Sequence, residues 1–132
     1  MSKIKINIIK KYHAKHFYPK KKNILNLLKR IFNKDVEINI IMIKKSDMKK
    51  LNYKYKKKKK SVNILSFKYK TPQFLQNNFI GEIIICNSII YEESIKKQKK
   101  LIDYWNEIIV HGASNLLTHS KLQKHKYNKK NS

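Results

Sequence analysis

A chain of 132 residues with a formal net charge of +24 and 41% hydrophobic residues is long enough for one domain around one core. Its single cysteine, Cys86, excludes an internal disulfide, and no apolar run reaches the roughly 18 residues that a membrane span needs. The charge comes from 31 lysines against one arginine, Arg30; Lys, Ile and Asn together make half of the chain, so codon bias towards A and T accounts for part of it.

Whatever its origin, such charge attracts polyanions, and the attraction weakens with salt. The N-terminus alternates Ile4, Ile6 and Ile8, a strand pattern with no apolar signal region behind it. A soluble, cytoplasmic protein in a reducing compartment is expected.

In chain order, residues 3–9 read as a strand. Tyr18-Pro19 opens a helix over 19–33, with Ile24, Leu25, Leu28, Ile31 and Phe32 on one face. Residues 36–43 (VEINIIMI) suit a buried strand. Ser46 is the expected N-cap of a short helix through Leu51 and Tyr55, and the lysine run Lys56 to Lys60 follows as a loop. Residues 63–68 form the third strand. Thr71-Pro72 starts a polar connection, and Gly81 precedes a fourth strand at 82–86. A polar amphipathic helix over 88–99 leads to the strongest helix, 101–117, with Leu101, Tyr104, Trp105, Ile108, Ile109, Leu116 and Leu117. The interleaving predicts an α+β class: a single domain in which a small mixed four-stranded sheet packs with helices, over 1–119, before a basic, frayed tail at 120–132.

The segment 110–119, VHGASNLLTH, places His111 inside a helix beside Gly112. One imidazole makes no metal site, but a helical glycine costs about 1 kcal/mol relative to alanine and marks a close backbone approach. Tyr53, Tyr55 and Tyr69 lie among lysines; they either stack bases or pack on the sheet. Glu82 is either a base or a strand cap. Cys86 reads as a buried small hydrophobe. His13 and His16 sit three residues apart with no third ligand near them, in a surface loop before Pro19.

Three ordered segments carry more. LNYKYKKKKKSVNILSF at 51–67, IGEIIIC at 80–86 and WNEIIVHG at 105–112 together resemble the YbeY family of single-domain, zinc-dependent endoribonucleases that mature ribosomal RNA. That family has a motif L-N-x-x-Y-R, then T-D/N-V-L-S-F-P, then G-D/E-I-x-I, then H-G-x-L-H-L-x-G-Y-D-H. Leu51, Asn52, Tyr55, Asn63, Leu65, Ser66 and Phe67 match the first two. Gly81, Glu82 and Ile83 match the third, and Val110, His111, Gly112, Leu116 and Leu117 lie in the last. The resemblance covers about residues 36–119.

It implies a nuclease, a hydrolase that cleaves single-stranded RNA at the 3′ end of small-subunit ribosomal RNA, in ribosome biogenesis and quality control. It also implies one zinc ion, ribosomal RNA and the small subunit as partners, and neither a membrane nor specifically DNA. Zinc would lower the pKa of a bound water. His111 falls on the first of three histidine ligands, while the second falls on Asn115 and the third on Lys121. An amide oxygen is a poor zinc ligand beside imidazole, and a lysine repels the ion. On a continuous helix His119 lies about 12 Å along the axis from His111, so a shifted set of His111, His119 and His125 needs a helix break near Thr118. Otherwise His119 and His125 are solvated tail residues.

Lys56 falls on the family's arginine and would hold phosphate as a point charge, without the bidentate fork. Lys56, Lys57, Lys58, Lys59 and Lys60 would guide the RNA backbone, and Lys56 would share a side of the domain with His111. The alternative is a non-catalytic RNA- or ribosome-binding relic of the fold that has lost its metal.

Overall fold

The computed structural model describes residues 3–11, 16–56, 62–69 and 78–118. Alternation builds the sheet. In β1 (Ile4–Lys10) Ile4, Ile6 and Ile8 alternate with other residues, and in β2 (Val36–Met42) every second residue is apolar and buried, so one side of each strand enters the core. They pair in parallel, Ile4 against Val36 through Lys10 against Met42. Parallel pairing needs a crossover, supplied by α1 (Lys21–Lys29), whose Ile24 and Leu28 are fully buried.

After β2, α2 (Lys45–Lys56) leads to β3 (Ile64–Lys68) and then to β4 (Phe79–Ile85). β4 enters between β2 and β3, parallel to the first and antiparallel to the second, which gives the mixed order β1-β2-β4-β3. α3 (Asn87–Lys96) and α4 (Leu101–Thr118) complete the chain of elements. This is the single small α+β domain that the element pattern predicts.

The two faces of the sheet differ. On one, α1 and α4 cover Ile6, Ile38, Ile40, Ile83 and Ile85, with Trp105 and Ile109 at the centre. On the other, α2 places Met48 over Leu65, Phe67 and Ile84. That cluster also takes in Ile41 of β2 and the adjoining Ile43. Beside it, β1 and β2 carry a polar row, in which Asn7 Nδ2 donates to Asn39 Oδ1 (2.9 Å) and to Glu37 Oε2 (2.8 Å).

Several boundaries differ from the sequence reading. α1 runs from Lys21 to Lys29 and not over 19–33, its end tightened by Arg30 and Ile31 N–H groups turning back onto Leu27 and Leu28 carbonyls. α2 starts at Lys45, so Ser46 is its second residue and not its N-cap. β4 starts at Phe79, so Gly81 and Glu82 lie inside the strand and not before it. The register slips between Glu37 and Ile38, where Ile80 is the extra residue of a bulge. α3 stops at Lys96 because Gln98 takes a left-handed conformation (φ 54°) and its neighbours' N–H groups turn back onto Glu93 and Ser94 carbonyls. The basic tail from 120 lies outside the described residues, as do Lys57 to Lys60 and Thr71-Pro72.

Candidate functional site

The three matched segments converge on β3. Leu51 and Tyr55 of α2 pack against Leu65 and Phe67 from one side, with the Tyr55 and Phe67 rings 5.0 Å apart. From the other side Ser66 Oγ donates to the Gly112 carbonyl at 2.9 Å, a buried bond from strand to helix. Gly81 on β4 has no room for a side chain: a Cβ there would collide with the Phe67 carbonyl oxygen and sit 3.0 Å from Leu116 of α4. A Cβ on Gly112 would meet Ile64 at 2.5 Å. Both glycines sit where α4 and the strands leave no room for a Cβ, and at Gly112 this is the close approach that a helical glycine predicts.

This contact orients His111. Gly112 is pressed against β3, and the adjacent His111 is turned out and exposed. One turn on, Asn115 is half-buried. The i, i+4 spacing would present two side chains to one ion, but the second side chain is an amide. Among the described residues no three His, Cys, Asp or Glu side chains gather into a metal-holding group. The described residues therefore do not fit a three-imidazole zinc site by themselves. His119, Lys121 and His125 lie outside the described residues, as does His13. His16 is a stacking partner of Tyr91, with ring centroids 4.5 Å apart.

Lys56 closes α2; its side chain lies outside the described residues. The helices that carry Lys56 and His111 cover opposite faces of the sheet. The cause is topological: β3 is an edge strand, and the two helices reach it from its two faces. Of the tyrosines, Tyr55 packs on Phe67 and Tyr69 on Phe79, whereas Tyr53 is 46% exposed. Glu82 is neither a free base nor a cap. Its Oε1 accepts the Tyr69 hydroxyl at 2.5 Å from mid-strand, and Asn39 approaches its other oxygen at 3.5 Å. Cys86 is fully buried, and burial pushes its thiol up despite hydrogen bonds from the backbone of Ile89 and Ser88.

Sequence reasoning missed a second polar junction. Asn63, at the foot of β3, donates to Glu93 Oε1 at 2.8 Å, and Tyr104 donates to the same oxygen at 2.7 Å. Burial and the Glu93 carboxylate push the Tyr104 phenol up to about 12. Lys97 and Lys99 stand over the Tyr104 ring at 5.1 and 5.7 Å. The junction ties β3 to α3 and α4, so a matched motif residue, Asn63, serves the frame that carries His111. Its signal was concealed because Glu93 and Tyr104 sit in separate helices.

Comparison with known proteins adds to this geometry. A family model described as "Endoribonuclease YbeY" matches residues 4–130. A protein named Endoribonuclease YbeY from Buchnera aphidicola subsp. Baizongia pistaciae is 38% identical over 105 residues, covering 76% of this chain and 68% of its own. Another of that name, from the Cinara cedri subspecies, is 40% identical over 108 residues, with 79% and 69% covered. A third, from Colwellia psychrerythraea, is 31% identical over 85 residues, with 64% and 55% covered. The alignments span about two thirds of the length of the Buchnera relatives. The solution structure of TM1509 from Thermotoga maritima shares the fold, with a TM-score of 0.51 and 19% identity over 93% of this chain and 85% of that one.

Proposed function

The chain belongs to the YbeY endoribonuclease family, and from that membership we propose that it cleaves single-stranded RNA during maturation of the 3′ end of small-subunit ribosomal RNA, including quality control of the ribosome. The observation that carries this reading is the Ser66–Gly112 bond, which seats α4 on β3 and leaves His111 exposed beside that contact. The substrate class agrees with a surface of net charge +24. The proposed work is cytoplasmic; no helix of the described residues is long and apolar enough to cross a membrane.

In this proposal Lys56 to Lys60 track the RNA backbone, and His111 acts at the scissile phosphate. Zinc enters only through the shifted set of His111, His119 and His125, and no step of the cleavage is assigned to the ion. A second reading, a non-catalytic RNA- or ribosome-binding relic, is favoured by Asn115 at the second ligand position and by the lack of a three-ligand group among the described residues.

The test uses the purified full chain and a labelled single-stranded RNA carrying the 3′ end of small-subunit ribosomal RNA. Endoribonuclease activity predicts discrete products that disappear in His111→Ala. Binding without cleavage, unchanged by His111→Ala, overturns the proposal in favour of the relic.

A further inference from the structure

Arg30 is the only arginine in a chain with 31 lysines, and it lines two hollows that lie away from His111. One, of about 220 Å³, lies between α1 and α4 and is lined by Asn23, Asn26, Leu27, Arg30, Ile102 and Asn106. The other, of about 600 Å³, adds Lys29, Lys34 and Asn33 at the end of α1, with Leu117 of α4. Its size is that of ordinary small-ligand sites. No carboxylate lines either hollow. Among the described residues Arg30 makes no ion pair, although Lys45 and Lys99 each hold a glutamate.

Asn23, Asn26 and Arg30 follow one another at helical spacing, and Asn106 faces them from α4. On α4 the residues lining the hollows, Ile102, Asn106 and Leu117, form a stripe roughly opposite His111 around the helix axis. Three cations at one end and three amides along the trough provide phosphate contacts beside donor and acceptor groups for base edges.

We propose that this trough between α1 and α4 is a second single-strand RNA site, in which Arg30 holds a phosphate bidentately and Asn23, Asn26 and Asn106 contact the adjoining nucleotide. The proposal rests on the reading that the substrate is RNA. The trough would hold a stretch of strand apart from the segment at His111, so short oligonucleotides should reach one site and longer ones both.

Fluorescence anisotropy of a long single-stranded RNA over a salt series tests this with the full chain, Arg30→Lys, Arg30→Gln and Asn26→Ala. Arg30→Lys should weaken binding several-fold with an unchanged salt slope, because the charge remains and the fork is lost. Arg30→Gln should weaken it further and lower the slope by about 0.7. Asn26→Ala should weaken binding without moving the slope. Arg30 is exposed, so these variants keep the fold, and circular dichroism checks that. If Arg30→Gln binds with unaltered affinity and slope, the trough is not an RNA site. If it retains RNA binding but loses association with small-subunit particles, the occupant is a protein and the proposal falls. If the unmodified chain does not bind RNA, the functional reading fails first and this one with it.

Discussion

Ser66 and Gly112, 46 positions apart in sequence, are joined by a buried hydrogen bond of 2.9 Å from the strand hydroxyl to the helix carbonyl. That bond sets how α4 lies on β3. Ser66→Ala is expected to destabilise the protein by about 0.5–1.5 kcal/mol, since the Gly112 carbonyl keeps its place within the helix but loses this donor. Urea unfolding should show a lower midpoint at unchanged slope. No change in midpoint would mean that the bond contributes nothing net.

The two glycines should respond differently to alanine. At Gly81 the new Cβ meets the Phe67 carbonyl, which the β3–β4 ladder holds in place. Gly81→Ala is expected to cost about 1–3 kcal/mol. At Gly112 it meets the end of the Ile64 side chain, which can rotate, and the gain in helix propensity of about 1 kcal/mol offsets that displacement. Gly112→Ala should therefore stay within about 1 kcal/mol of the parent in the same denaturation experiment. Equal losses at both positions would contradict this account.

These residues also mark how far the chain could be read unaided. The alternation of Ile4, Ile6 and Ile8 gave the first strand, because burial on one face imposes period two, and the apolar, β-rich run at 36–43 gave the second; that the two pair in parallel was not legible. The helical glycine at 112 correctly signalled close approach. Gly81 misled: glycine reads as a boundary, whereas here it sits inside β4 so that Phe67 and Leu116 can close over it. The end of α3 carried no glycine or proline, since Gln98 fills the left-handed position itself. The opposite placement of α2 and α4 was not legible, because linear order does not say which face of a sheet a helix covers. For the same reason the motif match located His111 but not its relation to Lys56.

The Asn63–Glu93–Tyr104 junction predicts an alkaline effect. The folded phenol is raised to about 12 from an ordinary 10. Between these values the unfolded chain releases a proton that the folded protein retains, so stability present below pH 10 is lost as pH rises towards 12. Tyr104→Phe should cost about 1 kcal/mol at pH 8 through the lost bond to Glu93. The advantage of the unmodified protein over the variant should shrink above pH 10, which cancels the titration of the many lysines common to both. A constant difference across that range would show that Tyr104 is not held neutral by burial and Glu93.

The lysine run makes a separate claim about RNA. If Lys56 to Lys60 track the backbone, replacing all five with glutamine should lower the salt slope of single-strand binding by about 0.7 for each lysine that contacts phosphate. Affinity should fall most at low salt. An unchanged slope would make the run a solvated charge cluster, leaving phosphate contacts to other surfaces such as the trough at Arg30.

The metal question turns on one helical face. His111 is exposed and Asn115 follows one turn later on α4, so Asn115→His would set two imidazoles at i, i+4 on an existing helix. Combined with Lys121→His it would supply three imidazoles, the number a zinc ion shares with a water. The double variant is expected to bind zinc at one equivalent in a chelator-competition assay, at least tenfold more tightly than the unmodified chain. The unmodified chain should take up zinc weakly, because an amide and an ammonium stand where imidazoles would be. Stoichiometric zinc in the unmodified protein, abolished by His119→Ala, would reverse that conclusion: His119 would then complete a set with His111 that the linear motif conceals, and cleavage of RNA would be expected to disappear with the same substitution.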